Sequence, residues 1–262
     1  MPEGPEIALN AVFLQKRLPG YSIFNLKYDS NSKQVKNLKS LCLPILIKGV
    51  TVKGKKLVFI LDNDTYLVFS LGMSGHFSWT ERNHTRIRFD LQSNDQKQSL
   101  YFDDVRKFGF VEVFHSAKTL LEKLDKIGLD FLTGNISYEY WLSTSKKFAK
   151  KQVCQFLLNQ DYVSGIGNIY RAEICYIARI NPTRTVGSLS EKELINLYNS
   201  SYKIIKNAFN SGASKGYRNP DGKSGEYKCL VYMQKKDAFG NTVISQKCKD
   251  RRTIHWVPDV QK

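Results

Sequence analysis

No stretch of this 262-residue chain stays apolar for long enough to cross a bilayer. The first twenty residues also lack the basic, apolar and small-residue order of an export signal, because glutamates interrupt them from position 3 onward. The expectation is a soluble, intracellular chain of one or two domains, nuclear or cytoplasmic, whose start is mature structure and which needs no membrane partner. Cysteine is sparse and irregular. Cys42, Cys154, Cys175, Cys229 and Cys248 are odd in number and never spaced C-x-x-C, which argues against a disulfide framework and against a cysteine zinc ribbon. Cys229, Cys248 and His255 have no regular ligand spacing and read as small core residues and a surface imidazole, so no metal is expected. The chain also has no internal repeat and no low-complexity tract.

What is abundant is positive charge. Forty Lys and Arg against twenty-four Asp and Glu leave a formal +16, with a pI near 9.5, and that balance points to a polyanionic partner. A solvated basic surface without a specific ligand is the plainer reading of charge alone.

The pattern of hydrophobic residues divides the chain. Ile7, Leu9, Val12, Phe13 and Leu14 form an apolar stripe that predicts a helix from Glu6 to Arg17, stopped by Pro19-Gly20. From Ile45 to Phe114, β-branched and aromatic residues broken by Asp-Asn-Asp and Ser-Asn-Asp turns predict a strand-rich sandwich. After about Lys118 the period becomes helical, with Ser190-x-x-Glu193 as a capping box and Gly212 as a terminator. Short strands are expected again in "KCLVYMQ", "NTVISQK" and "RRTIHWV". The fold class is α+β in two domains: residues 1–125 as an N-terminal β-sandwich preceded by a helix, and 126–262 as a helical domain ending in a small hairpin from about 225 to 262.

Several short stretches carry chemistry. The chain opens "MPEGPE". Proline at position 2 permits removal of the initiator methionine, which would expose a secondary amine. An α-amino group titrates near pH 8, far below lysine, so much more of it is nucleophilic at neutral pH. Its condensation product with an aldehyde carbon is an iminium, cationic without a proton and an electron sink for elimination. Glu3 would move protons beside it, and Glu6, about a turn on, would orient the terminus. Taken alone, the same residues are simply a good helix start. In "VSGIGNIYRAE", Gly165 and Gly167 permit close backbone approach and the following helix offers amides to an anion. This lies between two helical segments joined by an extended double turn, which suits a phosphate backbone. "GKKL" at 54–57 puts lysines beside a strand, while "LGMSG" and "DVRKFG" set Met73 and Phe108 in Gly-flanked turns with Arg106 adjacent. Such wedges fill the gap left when a base leaves the stack.

With these motifs in order, the chain resembles the formamidopyrimidine-DNA glycosylase / endonuclease VIII family over essentially its whole length. The opening is nearer the endonuclease VIII branch; the internal motifs are shared or nearer the formamidopyrimidine branch. The resemblance implies a bifunctional DNA glycosylase and abasic-site lyase of base excision repair. It makes Pro2 the nucleophile at C1′, Glu3 the acid/base and Lys55 a contact to the phosphates flanking the lesion. Glu6, Met73, Arg106, Phe108, Asn168 and Arg252 complete the DNA-facing set: Met73, Arg106 and Phe108 fill the void, Asn168 holds the lesion phosphate from a helix-two-turn-helix, and Arg252 grips it from the finger, with Arg251 as the neighbouring candidate. The partner is damaged DNA, as duplex, single strand or bubble, bound by a monomer. No cofactor is required.

One departure stands out. Most of the family ends in a four-cysteine zinc finger, whereas Val257 and Val260 of "VPDVQ" occupy the last pair of ligand positions and "DAFGNTV" lacks the first pair. This resembles the zincless-finger branch, in which a hairpin keeps the shape without metal. The segment between Gly212 and Tyr227 is shorter than the one that covers 8-oxoguanine in the formamidopyrimidine branch. The resemblance therefore favours oxidised pyrimidines, hydantoins and ring-opened purines. Two other classes stay open: a catalytically silent damage-binding protein, whose mark would be loss of Pro2 or Glu3, and an RNA-binding module, for which no motif is visible.

Overall fold

The computed structural model describes residues 2–30, 32–94 and 96–262, and the chain forms two compact units. The first comprises Pro2, 6–126 and 216–225; the second comprises 3–5, 127–215 and 226–262. A short piece from each side of the chain therefore belongs to the other unit.

In the first unit, α1 (Gly4–Gln15), from Glu6 on, lays Ile7, Ala11 and Leu14 on a nine-stranded sheet. The sheet is built from β1 (Ser22–Tyr28), β2 (Val35–Lys36), β3 (Ile45–Lys53), β4 (Lys56–Leu61), β5 (Tyr66–Ser70), β6 (His76–Ser78), β7 (Thr85–Ser93), β8 (Gln96–Asp103) and β9 (Phe110–Phe114). Their order is β2-β9-β5-β4-β3-β1-β7-β8-β6. Phe59 on β4 and Phe77 on β6 are five strands apart, roughly 24 Å on a flat sheet, yet their ring centroids lie 5.7 Å apart. The sheet is folded back on itself, and the expected sandwich is one sheet closed around Phe59, Phe69, Phe77, Phe89 and Phe102. The fold occurs where β1 meets β3, paired at only Ser22–Leu46 and Ile23–Ile45. A short helix, α2 (Ala117–Leu124), capped by Ser116, ends the strand-rich region.

The second unit packs α3 (Tyr138–Lys147), α4 (Val153–Leu157), α5 (Asn168–Ile177) and α6 (Glu191–Asn210) around Trp141, Phe156 and Tyr170. The Trp141 and Phe156 rings meet edge to face at 5.0 Å. The capping box of α6 forms as expected: Ser190 Oγ accepts from the Glu193 amide, and the Glu193 carboxylate accepts from the Ser190 amide. Between α4 and α5, Gln160 closes the double turn by accepting from the Gly165 amide and donating to the Ile166 carbonyl. The terminal hairpin pairs β10 (Ile244–Lys247) with β11 (Thr253–Trp256).

The strand expected in "KCLVYMQ" does not form. The amides of Leu230, Val231 and Tyr232 all donate to the carboxylate of Glu173 on α5, which also accepts from the Tyr227 hydroxyl. A buried carboxylate thus takes the amide donors that a neighbouring strand would have used.

Candidate active site and nucleic-acid interface

In the first unit, Pro2 is buried at the wall of a cavity of about 200 Å³, lined also by Met73, Ser74, Gly75, His76, Arg82, Tyr217 and Arg218. Tyr217 comes from the returning 216–225 segment. Its hydroxyl accepts from Asn10 Nδ2 at 2.5 Å, and burial, then the Glu6 carboxylate, pushes that hydroxyl well above the usual phenol range. Glu6 is fully buried on α1. From there its carboxylate acts on the cavity wall through Tyr217. His76 sits between Asp103 (Nε2 to Oδ2, 3.5 Å) and the Ser74 carbonyl (Nδ1 to O, 3.1 Å).

The two wedge turns are bound to each other. Asp104, fully buried, accepts from Ser74 Oγ at 2.5 Å and from the Gly109 amide at 2.6 Å, while Ser74 Oγ in turn accepts from the Arg106 amide at 2.9 Å. The backbones touch so closely that a Cβ on Gly72 would come within 2.5 Å of the Phe108 carbonyl carbon. Met73 (38% exposed) and Phe108 (57% exposed) are left projecting, with the exposed Arg106 guanidinium over the Phe108 ring at 5.1 Å. Large apolar side chains held outward by a buried carboxylate suit insertion into a base stack. Lys55 is half-buried in the β3–β4 turn beside Gly54, whose φ of 56° favours glycine, and it does not line the Pro2 cavity. The next residue, Lys56, lies over the Phe110 ring and donates to Ser70 Oγ; burial, then Lys123, pulls its ammonium below the usual lysine range.

In the second unit, Glu3 is fully buried, and its carboxylate accepts from the amides of Gly167 (2.8 Å), Ile169 (2.9 Å) and Tyr170 (3.3 Å). Those are the free N–H groups at the start of α5, where a negative charge is stabilised. The amides expected to meet a phosphate therefore hold the chain's own acid. The two glycines serve that contact. A Cβ on Gly167 would lie 2.3 Å from Glu3 Cδ, and Gly4 donates to the Gly165 carbonyl at 2.7 Å with no room for a side chain between them. Asn168, first residue of α5, keeps a buried side-chain oxygen without a hydrogen-bond partner.

The same helix supports the finger. Arg171, fully buried, donates to the carbonyls of Cys154 (3.2 Å) and Thr253 (3.0 Å) and pairs with Asp250 at 3.5 Å. Arg252 is exposed in the turn so anchored, next to Arg251 in a left-handed conformation (φ 64°). Asp237 organises the preceding turn, accepting from the amides of Phe239 and Asn241 and from the Tyr176 hydroxyl. Val257 is fully buried with Val231, Val243, Ile254 and Trp256, and Val260 packs on the same cluster. These side chains offer no donor to a zinc ion, so the finger positions do not fit the metal. His255 is half-buried against Tyr232, not the surface imidazole expected, and burial lowers its pKa. Cys229 is half-buried and Cys248 buried.

Pro2 and Met73 line one cavity, to which Arg106 is tied through Ser74 and Phe108 through its close approach to Gly72. Glu3, Asn168 and Arg252 are all tied to α5. Sequence reading missed Tyr217, Asp104, Arg171 and Glu173, which act through other residues. The one available signal was for Arg171 and Glu173: two charges inside a helix otherwise apolar on every face.

Domain models for formamidopyrimidine-DNA glycosylase match residues 1–111 (N-terminal domain), 127–218 (H2TH domain) and 219–262 (C-terminal domain). A formamidopyrimidine-DNA glycosylase of Listeria monocytogenes is 32% identical over the full length of both chains, and one of Rickettsia massiliae is 28% identical over 97% of this chain and 95% of its own. Among solved structures, the MutM (Fpg) protein of Thermus thermophilus aligns over 99% of this chain and 98% of its own with 27% identity and a TM-score of 0.89. The Lactococcus lactis Fpg bound to DNA with an oxidised pyrimidine aligns over 100% of both chains with 26% identity and a TM-score of 0.87.

Proposed function

Because the chain belongs to the formamidopyrimidine-DNA glycosylase family, we propose that it excises oxidised bases by covalent catalysis at the amine of Pro2, freed by removal of Met1. It is a DNA glycosylase of DNA repair and binds damaged DNA. The finer reading rests on one observation: Pro2 lies in the wall of a cavity beside Met73, His76 and Tyr217.

The Pro2 nitrogen attacks C1′ of the damaged nucleotide as the bond from C1′ to the base breaks. Glu3 gives a proton to the ring oxygen, the sugar opens, and the product is an iminium. That cation acidifies C2′: loss of its proton expels the 3′ phosphate, and a second elimination through C4′ expels the 5′ phosphate. A one-nucleotide gap with phosphates at both ends results. Glu3, next to Pro2 in sequence, moves the protons, and its bonds to α5 support a fixed orientation. Lys55, Asn168 and Arg252 hold phosphates, while Met73, Arg106 and Phe108 occupy the vacated stack.

Oxidised pyrimidines, hydantoins and ring-opened purines rank ahead of 8-oxoguanine as substrates. The short 212–227 segment supports this: Arg218 donates to the Gly222 carbonyl and Asn219 accepts from the Lys223 amide, closing it into a tight turn. The solved Lactococcus lactis complex with an oxidised pyrimidine is consistent with such a substrate.

Borohydride reduction of the enzyme on an abasic-site or thymine-glycol duplex tests the mechanism. A covalent adduct that disappears in Pro2→Gly, or when residues are added ahead of Pro2, is expected. Undiminished trapping in Pro2→Gly would refute it, and faster release of 8-oxoguanine than of thymine glycol would overturn the substrate order.

A further inference from the structure

Two of the five cysteines meet. Cys154 on α4 and Cys248 in the turn between β10 and β11 are 94 positions apart in sequence, yet their sulfurs are 2.7 Å apart, inside van der Waals contact and close to the ~2.05 Å of a covalent sulfur pair. Both are buried, Cys154 completely and Cys248 to 5% exposure. Their backbones are pinned on both sides: Arg171 donates to the Cys154 and Thr253 carbonyls, and the Gln152 side-chain oxygen accepts from the Lys249 amide at 2.9 Å. The pair joins the helical body to the finger.

We propose that Cys154 and Cys248 are an oxidation site, closed to an intramolecular disulfide by a small hydroperoxide, that staples the finger to α4. The Cys154 hydrogen bond, and after it the Arg171 guanidinium, pulls the Cys248 thiol below its ordinary range, while the same contact and burial push Cys154 up. Cys248, the sulfur that keeps residual exposure while Cys154 has none, is the one a peroxide reaches. Its thiolate breaks the peroxide O–O bond, forming S–O and releasing one water after protonation. The Cys154 sulfur then displaces that oxygen as a second water and the S–S bond forms. Each sulfur gives up one electron and the peroxide takes both, and the two thiol protons leave in water. Cys175 is fully buried nearby, and Cys42 is exposed elsewhere; they serve as internal controls.

The wild-type protein is treated with dilute hydrogen peroxide, unfolded in N-ethylmaleimide, and peptide-mapped. Before alkylation the intact mass should be lower by about 2 Da, for the two hydrogens lost, and the map should contain a peptide linking Cys154 to Cys248. Dithiothreitol should reverse the link, and Tm should be higher in the oxidised form because the closed loop is long. The mass change should persist in Cys42→Ser and vanish in Cys248→Ser. Full alkylation of both cysteines after peroxide, or a link that uses Cys175, would overturn the proposal. The map is made on wild-type protein, so it decides even if Cys248→Ser does not fold.

Discussion

The carboxylate of Glu3 accepts a hydrogen bond of 2.8 Å from the amide of Gly167, 164 positions further along the chain. With the bonds from Ile169 and Tyr170, this contact joins the proposed proton carrier to the N-terminus of α5, and the missing side chain of Gly167 is what makes room for it. Gly167→Ala would put a Cβ 2.3 Å from Glu3 Cδ, so the carboxylate must move. Because a displacement of about 1 Å at a catalytic group can cost on the order of 100-fold, single-turnover excision should fall by roughly that factor. Affinity for an abasic-site analogue should change by much less. Equal losses in both measurements would show that Gly167 serves binding alone.

Asp104 fixes the two wedge turns through Ser74 and Gly109. Asp104→Ala removes the acceptor of three donors, Ser74 Oγ, the Gly109 amide and Gln34 Nε2, and should destabilise the protein by about 2–4 kcal/mol in urea titration. Loosened wedges should slow excision from a duplex more than cleavage of a single strand, where no stack needs filling. A uniform slowing on both substrates would contradict the wedge reading.

Arg171 is a fully buried cation whose partners are two carbonyls and Asp250. Arg171→Met leaves the Cys154 and Thr253 carbonyls without their donor and the part-exposed Asp250 without its partner, and each buried group left unsatisfied costs about 1–3 kcal/mol. Limited trypsinolysis should then cut sooner at Arg251 and Arg252, and affinity for damaged DNA should drop. An unchanged digestion rate would mean that the finger stands without this support.

Acid stability reads out the start of α6. The Arg184 guanidinium, 2.5 Å from Glu193, holds that carboxyl at about 2 against an ordinary 4.5. A lowered pKa stabilises the fold above the unfolded value, and that contribution is lost as pH falls through the folded one. Both side chains are partly exposed, so solvent screening leaves about 1 kcal/mol. Glu193→Gln should be less stable than wild type by that amount at pH 7 and indistinguishable from it near pH 2. A gap that is constant across the range would assign the effect to the cap alone.

The strand-rich first half, the helical second half and the capping box of α6 were all legible, because alternation, helical period and Ser190-x-x-Glu193 are local properties. The family was legible for a different reason: five motifs in one order identify it, and the proposed roles of Pro2 and Glu3 follow from that resemblance. The support beneath them was not legible. Nothing in "KCLVYMQ" announces that three of its amides will be claimed by Glu173, since that choice depends on α5 bringing a buried carboxylate to them.

The sequence by itself determined which groups could react and which faces of its helices and strands would be buried, because amine chemistry and apolar periodicity are written residue by residue. Only the tertiary structure decided what those groups lean on. The α5 amides serve Glu3, Asp104 joins "LGMSG" to "DVRKFG", Arg171 and Asp237 organise the finger, and Cys154 meets Cys248. Each of these depends on a buried polar group finding its partner across a long stretch of chain, and that pairing is settled only when the whole fold has closed around it.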